Sequence, residues 1–215
     1  MSVISLRSVS KKFKGNVLFD ELSAEFEQGR TYGLVGPNGS GKSVLFKMIC
    51  GFLLPDAGSV WIDPKFMAPK RAFPDRFGIM IDGPAFLPGL TGKQNLVDLA
   101  AIRNTIGESE VREILALVGL DPDSPQKARN YSLGMKQKLG IAQALMESPD
   151  VLLLDEPFNG LDLASVGNIK ELLRQRQEDG VTIIFTSHNR EDIDELSEVT
   201  LLISENRITE LAGRR

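Results

Sequence analysis

Eight consecutive residues, Gly36-Pro37-Asn38-Gly39-Ser40-Gly41-Lys42-Ser43, carry the spacing G-x-x-x-x-G-K-S. They follow the apolar run Thr31-Tyr32-Gly33-Leu34-Val35 and precede Val44, Leu45, Phe46, Met48 and Ile49. The last four fall on one helical face, stopped by Gly51, so a strand–loop–helix unit is predicted. Glycine permits backbone angles at which successive N–H groups turn inward around phosphate oxygens. The start of the helix adds the positive end of its dipole. Lys42 is placed to reach β- and γ-phosphates, and the Ser43 hydroxyl is placed to ligate Mg²⁺. The plainer alternative is a glycine-rich turn, which the strand–loop–helix context disfavours.

A second constellation is Val151-Leu152-Leu153-Leu154-Asp155-Glu156-Pro157, two carboxylates at the end of a buried apolar strand. In a parallel sheet, ligands bind beyond the carboxyl ends of the strands, which brings Asp155 near the phosphate loop, where it can hold Mg²⁺ directly or through water. Strand neighbours alternate sides, so Glu156 points elsewhere and can accept a proton from an attacking water. Two acids capping a solvated turn would be the alternative, weakened by the adjacent phosphate loop, which needs a carboxylate for its metal.

The elements that must position these groups are read from hydrophobic period. Short strands are predicted in the first thirty residues, around Val3 to Val9, Val17-Leu18-Phe19 and residues 22–26. Helices are predicted over 95–106, 110–118 and 134–146, with Thr91 a cap for the first. Beyond residue 150, apolar strands at 151–154, 181–185 and 199–203 alternate with amphipathic helices at 164–177 and 189–196. Such alternation indicates a parallel sheet covered on both faces. The chain of 215 residues, 42% hydrophobic and 25% charged, is ordinary for a globular protein, which excludes wholesale disorder. A net charge of −4 gives no global electrostatic reason to bind nucleic acid or an anionic membrane. The single cysteine, Cys50, forms no internal disulfide and no Cys-rich zinc site, so a reducing compartment is permitted. Neither a secretory signal nor an apolar run near the ~20 residues of a membrane span is seen.

Tyr131-Ser132-Leu133-Gly134-Met135-Lys136-Gln137-Lys138 lies about twenty residues before the carboxylate strand, and His188, the only histidine, lies after it. Phosphate loop, this octet, carboxylate pair and histidine stand in the order found in ATP-binding-cassette (ABC) proteins. Over essentially its whole length the chain resembles the nucleotide-binding subunit of an ABC transporter. The resemblance implies an α/β fold: a P-loop NTPase core with a mostly parallel sheet, an N-terminal antiparallel β subdomain and an inserted α-helical subdomain. As a single domain, residues 1–82 and 150–215 would form the core with its β subdomain, and 83–149 the helical subdomain.

The resemblance also implies roles. Gly36, Pro37, Asn38, Gly39, Ser40, Gly41, Lys42, Ser43 and Val44 would surround the ATP phosphates, and Lys42, Glu156 and His188 would act in hydrolysis. Ser43 and Asp155 would hold Mg²⁺. The family's L-S-G-G-Q appears here with Leu133 for its first glycine and Met135 for its glutamine. Ser132 and Gly134 match the positions that touch the γ-phosphate bound by the opposite subunit; for Ser132 a plain helix cap is the alternative. Asp162, in Asn159-Gly160-Leu161-Asp162, would couple the two sites or simply cap the helix from Ala164. Phe13 would stack on adenine or else pack as a core Phe between strands. Asp82 occupies the place of the family's usual Gln, where it would reach Mg²⁺ through water or cap a loop. Residues 84–90 would face a membrane partner, with Phe86, Leu87 and Leu90 docking a helix of it or closing the local core.

The function implied is an ATPase motor subunit of a transporter, binding Mg-ATP. It would pair with a second copy of itself or a paralogous ATPase subunit, drive separate integral membrane subunits, and sit at the cytoplasmic face of the membrane. A soluble ABC-type ATPase acting on ribosomes or DNA is the alternative. One phosphate loop, one cysteine and no long heptad run argue against it, and no nucleic-acid partner is expected. A small GTPase or kinase lacks support, since no N-K-x-D motif is present.

Overall fold

Alternating apolar and polar residues carry the chain through β1 (Ser2–Phe13) and β2 (Asn16–Glu27), an antiparallel hairpin in a computed structural model that describes residues 1–67, 73–83 and 85–211. The reversal uses Lys14 and Gly15, both with left-handed φ, the turn geometry that matches strand twist. β2 is one strand rather than the separate runs predicted around Val17 and residue 22. A bulge at Glu21, φ 51°, takes up an extra residue between the pairs Val9–Leu22 and Lys11–Phe19 and keeps the strand continuous. β3 (Thr31–Val35) then enters a second sheet and runs through the glycine-rich loop into α1 (Lys42–Ile49). β4 (Ala57–Ile62) returns to pair with β1, giving the three-stranded order β2-β1-β4. β4 has no clear signature in the sequence, because Ala57-Gly58-Ser59 lacks any apolar alternation.

The second sheet is built from β3 together with β5 (Phe77–Met80), β6 (Val151–Leu154), β7 (Thr182–Thr186), β8 (Val199–Ser204) and β9 (Arg207–Leu211). Its order is β5-β6-β7-β3-β8-β9; every pairing is parallel except β8 with β9. The β8–β9 hairpin turns on Glu205 and Asn206, φ 49° and 63°, and leaves little mark in the sequence because the exposed edge strand carries only Ile208 and Leu211 as apolar residues.

Both faces of this sheet are covered, as the apolar strands require. Along β6, Val151 and Leu153 join one core with Leu45, Phe46, Met48 and Ile49 of α1 and with Phe19 and Phe26 of the antiparallel sheet. Leu152 and Leu154 join the other core, with helices α2 (Gly92–Arg103), α3 (Glu108–Leu117), α4 (Leu133–Leu145), α5 (Leu163–Glu178) and α6 (Arg190–Leu196). Each buried Leu, Ile or Phe contributes roughly 1.5–3 kcal/mol relative to exposure, so these alternating strands anchor the fold. The fold is the α/β P-loop NTPase arrangement, with its separate antiparallel sheet and its run of helices between β5 and β6.

Helix α2 begins at the expected cap, Thr91, which forms a capping box with Gln94 and starts the helix three residues before Asn95. It stops at Arg103 because Asn104 turns left-handed, φ 55°, and returns its N–H to the Ala100 carbonyl. Among the described residues no helix is long and apolar enough to cross a membrane.

β5 lies directly on α4. A Cβ at Gly78 would run into the Ala144 carbonyl oxygen, so only glycine allows the approach. Gly78→Ala is expected to destabilise the protein by about 2 kcal/mol or more through overpacking. Urea unfolding checks this, and an unchanged midpoint would show that the contact is not rigid.

Candidate functional site

Three strands deliver the chemistry to one sheet edge. In register, Leu34 of β3 faces Thr186 of β7, and Leu154 of β6 faces Phe185 of β7. The loop after β3, the carboxylates after β6 and Ser187-His188 after β7 therefore leave the sheet side by side.

The loop of residues 36–43 curls around the ammonium of Lys42. That group donates to the carbonyls of Gly36 at 2.7 Å and Pro37 at 3.2 Å, and Lys42 as a whole is 9% exposed. Gly41 precedes α1 with φ 100°, and a Cβ there would strike the Phe19 ring, so the tight entry into the helix requires glycine. Helices α2, α4, α5 and α6 begin with a side-chain cap, whereas α1 and α3 have none. The first amides of α1, those of Lys42, Ser43 and Val44, have no acceptor within the helix. The Ser40 hydroxyl is buried without a hydrogen-bond partner. This cluster of open donors around one ammonium suits a multiply charged anion such as a polyphosphate.

A connected chain of groups lies beside the loop. Ser43 Oγ donates to Asp155 Oδ2 at 2.5 Å. Thr186 Oγ1 donates to Asp155 Oδ1 at 2.8 Å and accepts the Glu156 amide at 2.8 Å. The His188 amide donates to Glu156 Oε2 at 3.1 Å, while its ring Nε2 lies 3.3 Å from Oε1, which has no hydrogen-bond partner. Glu156 sits at φ 52°, a left-handed conformation that costs a non-glycine residue roughly 1–2 kcal/mol. Burial raises the Glu156 carboxyl above its ordinary range, as does Asp155, against the opposing pull of His188 and Lys42. A half-buried, half-partnered carboxylate beside a histidine is equipped to take a proton from water.

The donor set also fits Mg²⁺. Magnesium takes one or two protein oxygens, substrate phosphates and waters, and Ser43 with Asp155 supplies such a pair at the mouth of the phosphate loop. Among the described residues no three His, Cys, Asp or Glu side chains converge as a metal cage.

The remaining sequence-marked residues stand apart from this chain. Ser132 caps α4, accepting the Met135 amide at 3.1 Å. Gly134 lies against the Gly160 carbonyl, and Leu133 covers Gly160, so the 131–138 segment packs on the 159–162 loop of its own chain. Asp162 caps α5, accepting the amide and hydroxyl of Ser165, and those two bonds hold its carboxyl below the usual range. Phe13 is 43% exposed at the tip of the first hairpin, with Lys11 Nζ 5.5 Å from its ring centroid, and is not packed between strands. Asp82, φ 59°, pairs with Lys47 of α1 at 2.6 Å and hydrogen-bonds to neither Ser43 nor Asp155. Phe86 packs against the helical core while Leu87 is exposed; Pro84, at the start of the 84–90 segment, lies outside the described residues.

Two polar residues that the sequence reading gave no role take part: Thr186, and Gln137 of α4, whose amide donates to the Glu156 carbonyl at 2.6 Å. The signal for Thr186 is a polar residue closing an apolar strand. Gln137 is visible only as a polar residue in a helical run, without any sign that it is 5% exposed.

The family described as ABC transporter matches residues 19–159, about two-thirds of the chain. The chain belongs to the ABC transporter family. By that membership it is an ATPase. An uncharacterized ABC transporter ATP-binding protein of Bacillus subtilis (strain 168), YybJ, is 37% identical over 206 residues, covering 96% of this chain and 94% of the relative. The bacitracin transport ATP-binding protein BcrA of Enterococcus faecalis is 33% identical, over 97% of this chain and 68% of its own length. The ABC fold is also that of the ATP-binding cassette MJ0796, solved as a dimer in a post-hydrolysis state bound to ADP and Pi. That structure has a TM-score of 0.86 at 24% identity and is covered to 99%, as is this chain.

Behind His188 the cassette holds a buried ion pair. Asp192 of α6, 3% exposed, accepts Ser187 Oγ at 2.7 Å and Lys170 Nζ of α5 at 2.8 Å. Burial pulls the Lys170 ammonium down, but bonds to Asp192 and Glu195 outweigh it and raise its pKa. Lys170→Met leaves the buried Asp192 charge without its cation, with only the Ser187 hydroxyl still donating to it, and is expected to cost about 3 kcal/mol in urea unfolding. A loss smaller than about 1 kcal/mol would contradict the pairing.

Proposed function

We propose that the chain is the motor subunit of a transporter: it binds Mg-ATP, and two copies face each other head to tail. Each ATP lies between the 36–43 loop of one copy and Ser132 and Gly134 of the other. The observation that carries this reading is the unbroken hydrogen-bond chain from Ser43 through Asp155 and Thr186 to Glu156 and His188, at the lip of an uncapped helix.

In this reading the loop amides and Lys42 grip the phosphates, with Lys42 exchanging the Gly36 and Pro37 carbonyls for phosphate oxygens. Ser43 and Asp155 hold Mg²⁺, which supplies positive charge against the phosphate oxygens. Asp82, in the place of the family's Gln, reaches that site only by leaving Lys47. Glu156 takes the proton of the attacking water, and His188 steadies the carboxylate and donates toward the γ-phosphate. The exposed ring of Phe13 offers a face for adenine. Asp162, one residue beyond the Gly160–Leu161 pair that touches the 131–138 segment, links the two sites through that contact.

The two-copy arrangement is supported by the placement of Ser132 and Gly134. They share no hydrogen bond with the phosphate loop of their own chain, and an α4 N-terminus suits an anion arriving from outside. A free subunit then has an incomplete site, and closure around ATP followed by opening on hydrolysis moves the membrane subunits. The exposed Leu87, with Leu90 nearby, is the docking point for them in this reading, in which the protein works at the cytoplasmic face of the membrane. BcrA's name as a bacitracin transport protein supports a transporter role.

Glu156→Gln keeps the fold and the grip on ATP but removes the base. With ATP present it is expected to elute as a dimer in size-exclusion chromatography, and without ATP as a monomer. A variant that binds ATP and stays monomeric would overturn the two-copy site.

A further inference from the structure

Glu156 is held by its backbone as well as by its carboxylate. Its amide goes to Thr186 Oγ1 of β7, and its carbonyl accepts Gln137 Nε2 of α4 at 2.6 Å and the Asn159 amide at 3.2 Å. Both peptide planes flanking a residue in a left-handed conformation are thus fixed by side chains from two different elements. A strained backbone persists only where its surroundings determine it, and here the strain sets the direction in which the carboxylate leaves the chain. Gln137 is buried and lies on the helix that Ser132 caps, five residues on and so about 7.5 Å along the axis. No other side chain of α4 bonds to Glu156 among the described residues.

We propose that Gln137 is a positioning residue for hydrolysis: its amide clamps the Glu156 carbonyl, aims the carboxylate, and ties the base to the helix whose tip serves the opposite copy. This rests on the reading of Glu156 as the base. Gln137 does not touch the nucleotide in this account. Its loss therefore lowers turnover without weakening the grip on ATP. The Asn159 amide remains on the carbonyl in its absence, so the acceptor is not left bare and the fold is expected to survive.

The test is steady-state ATP hydrolysis by the full chain carrying Gln137→Met, which keeps the length but not the donor, and by Gln137→Glu, which keeps the shape but not the donor. Melting temperature is measured alongside. Both are expected to reduce kcat about tenfold or more with KM nearly unchanged, as misaiming a catalytic group by a fraction of an ångström does. Combined with Glu156→Gln, neither is expected to add a further loss, because the clamp acts only through Glu156. Wild-type kcat in both, a rise in KM instead, or additive losses in the double variants would each overturn the proposal while leaving Glu156 as the base. Wild-type turnover by Glu156→Gln alone would instead remove the base assignment, and with it this inference.

Discussion

Because β6, β7 and β3 run parallel and in register, three chain segments that are far apart in sequence leave the sheet at one edge. Nothing in the loop of residues 36–43 by itself brings a carboxylate to Ser43. The bond between Ser43 and Asp155 exists because Leu154 is level with Phe185, and Leu34 with Thr186, so that Thr186 of the intervening strand touches both Asp155 and Glu156. The two cores on either face of the sheet hold that level. Val151 and Leu153 point to one, Leu152 and Leu154 to the other, so a slip of one residue in β6 would bury the wrong set and misplace both acids.

The edge is also an electrostatic arrangement. Lys42 is folded onto two carbonyls, which keeps a nearly buried ammonium satisfied without a counter-charge of its own. The uncapped start of α1 adds donors directed outward. Opposite them stand Asp155, engaged by two hydroxyls, and Glu156, whose burial raises its carboxyl. Two adjacent acids thus occupy different environments, one suited to a cation and the other to a proton. Anchoring of the Ser187-His188 turn by Asp192 and Lys170 extends this order into α5 and α6.

Much of this was legible in the residues. The phosphate loop, the carboxylate pair and His188 each follow a strongly apolar strand, and that shared context, more than any single motif, predicts their convergence. The alternation of apolar strands and amphipathic helices after residue 150 gives the layered sheet. What escaped has physical reasons. β4 and β9 lie at sheet edges, where half-exposed strands need little apolar sequence. The Thr91 cap of α2 is readable in the residues, but its far end depends on a left-handed Asn104, which periodicity does not register. Asp82 reads as a metal-site residue by its place in the chain, but its exposed carboxylate finds Lys47, a partner on α1 that only the tertiary structure supplies. Gln137 and Thr186 act on the backbone of Glu156, and hydrogen bonds to a backbone leave no trace in the spacing of residue types.

The central claim is that one ATP is completed by two chains, with the loop from one and the tip of α4 from the other. Mixing two inactive variants tests it most directly. Lys42→Ala spoils the loop and Ser132→Arg blocks the helix tip, so neither homodimer contains an intact composite site. A mixed dimer contains one, formed by the loop of the second variant and the serine of the first. ATP hydrolysis reappearing on mixing, with each variant inactive alone, is the predicted result. A mixture as inactive as its components, in the presence of demonstrated mixed dimers, would contradict the account.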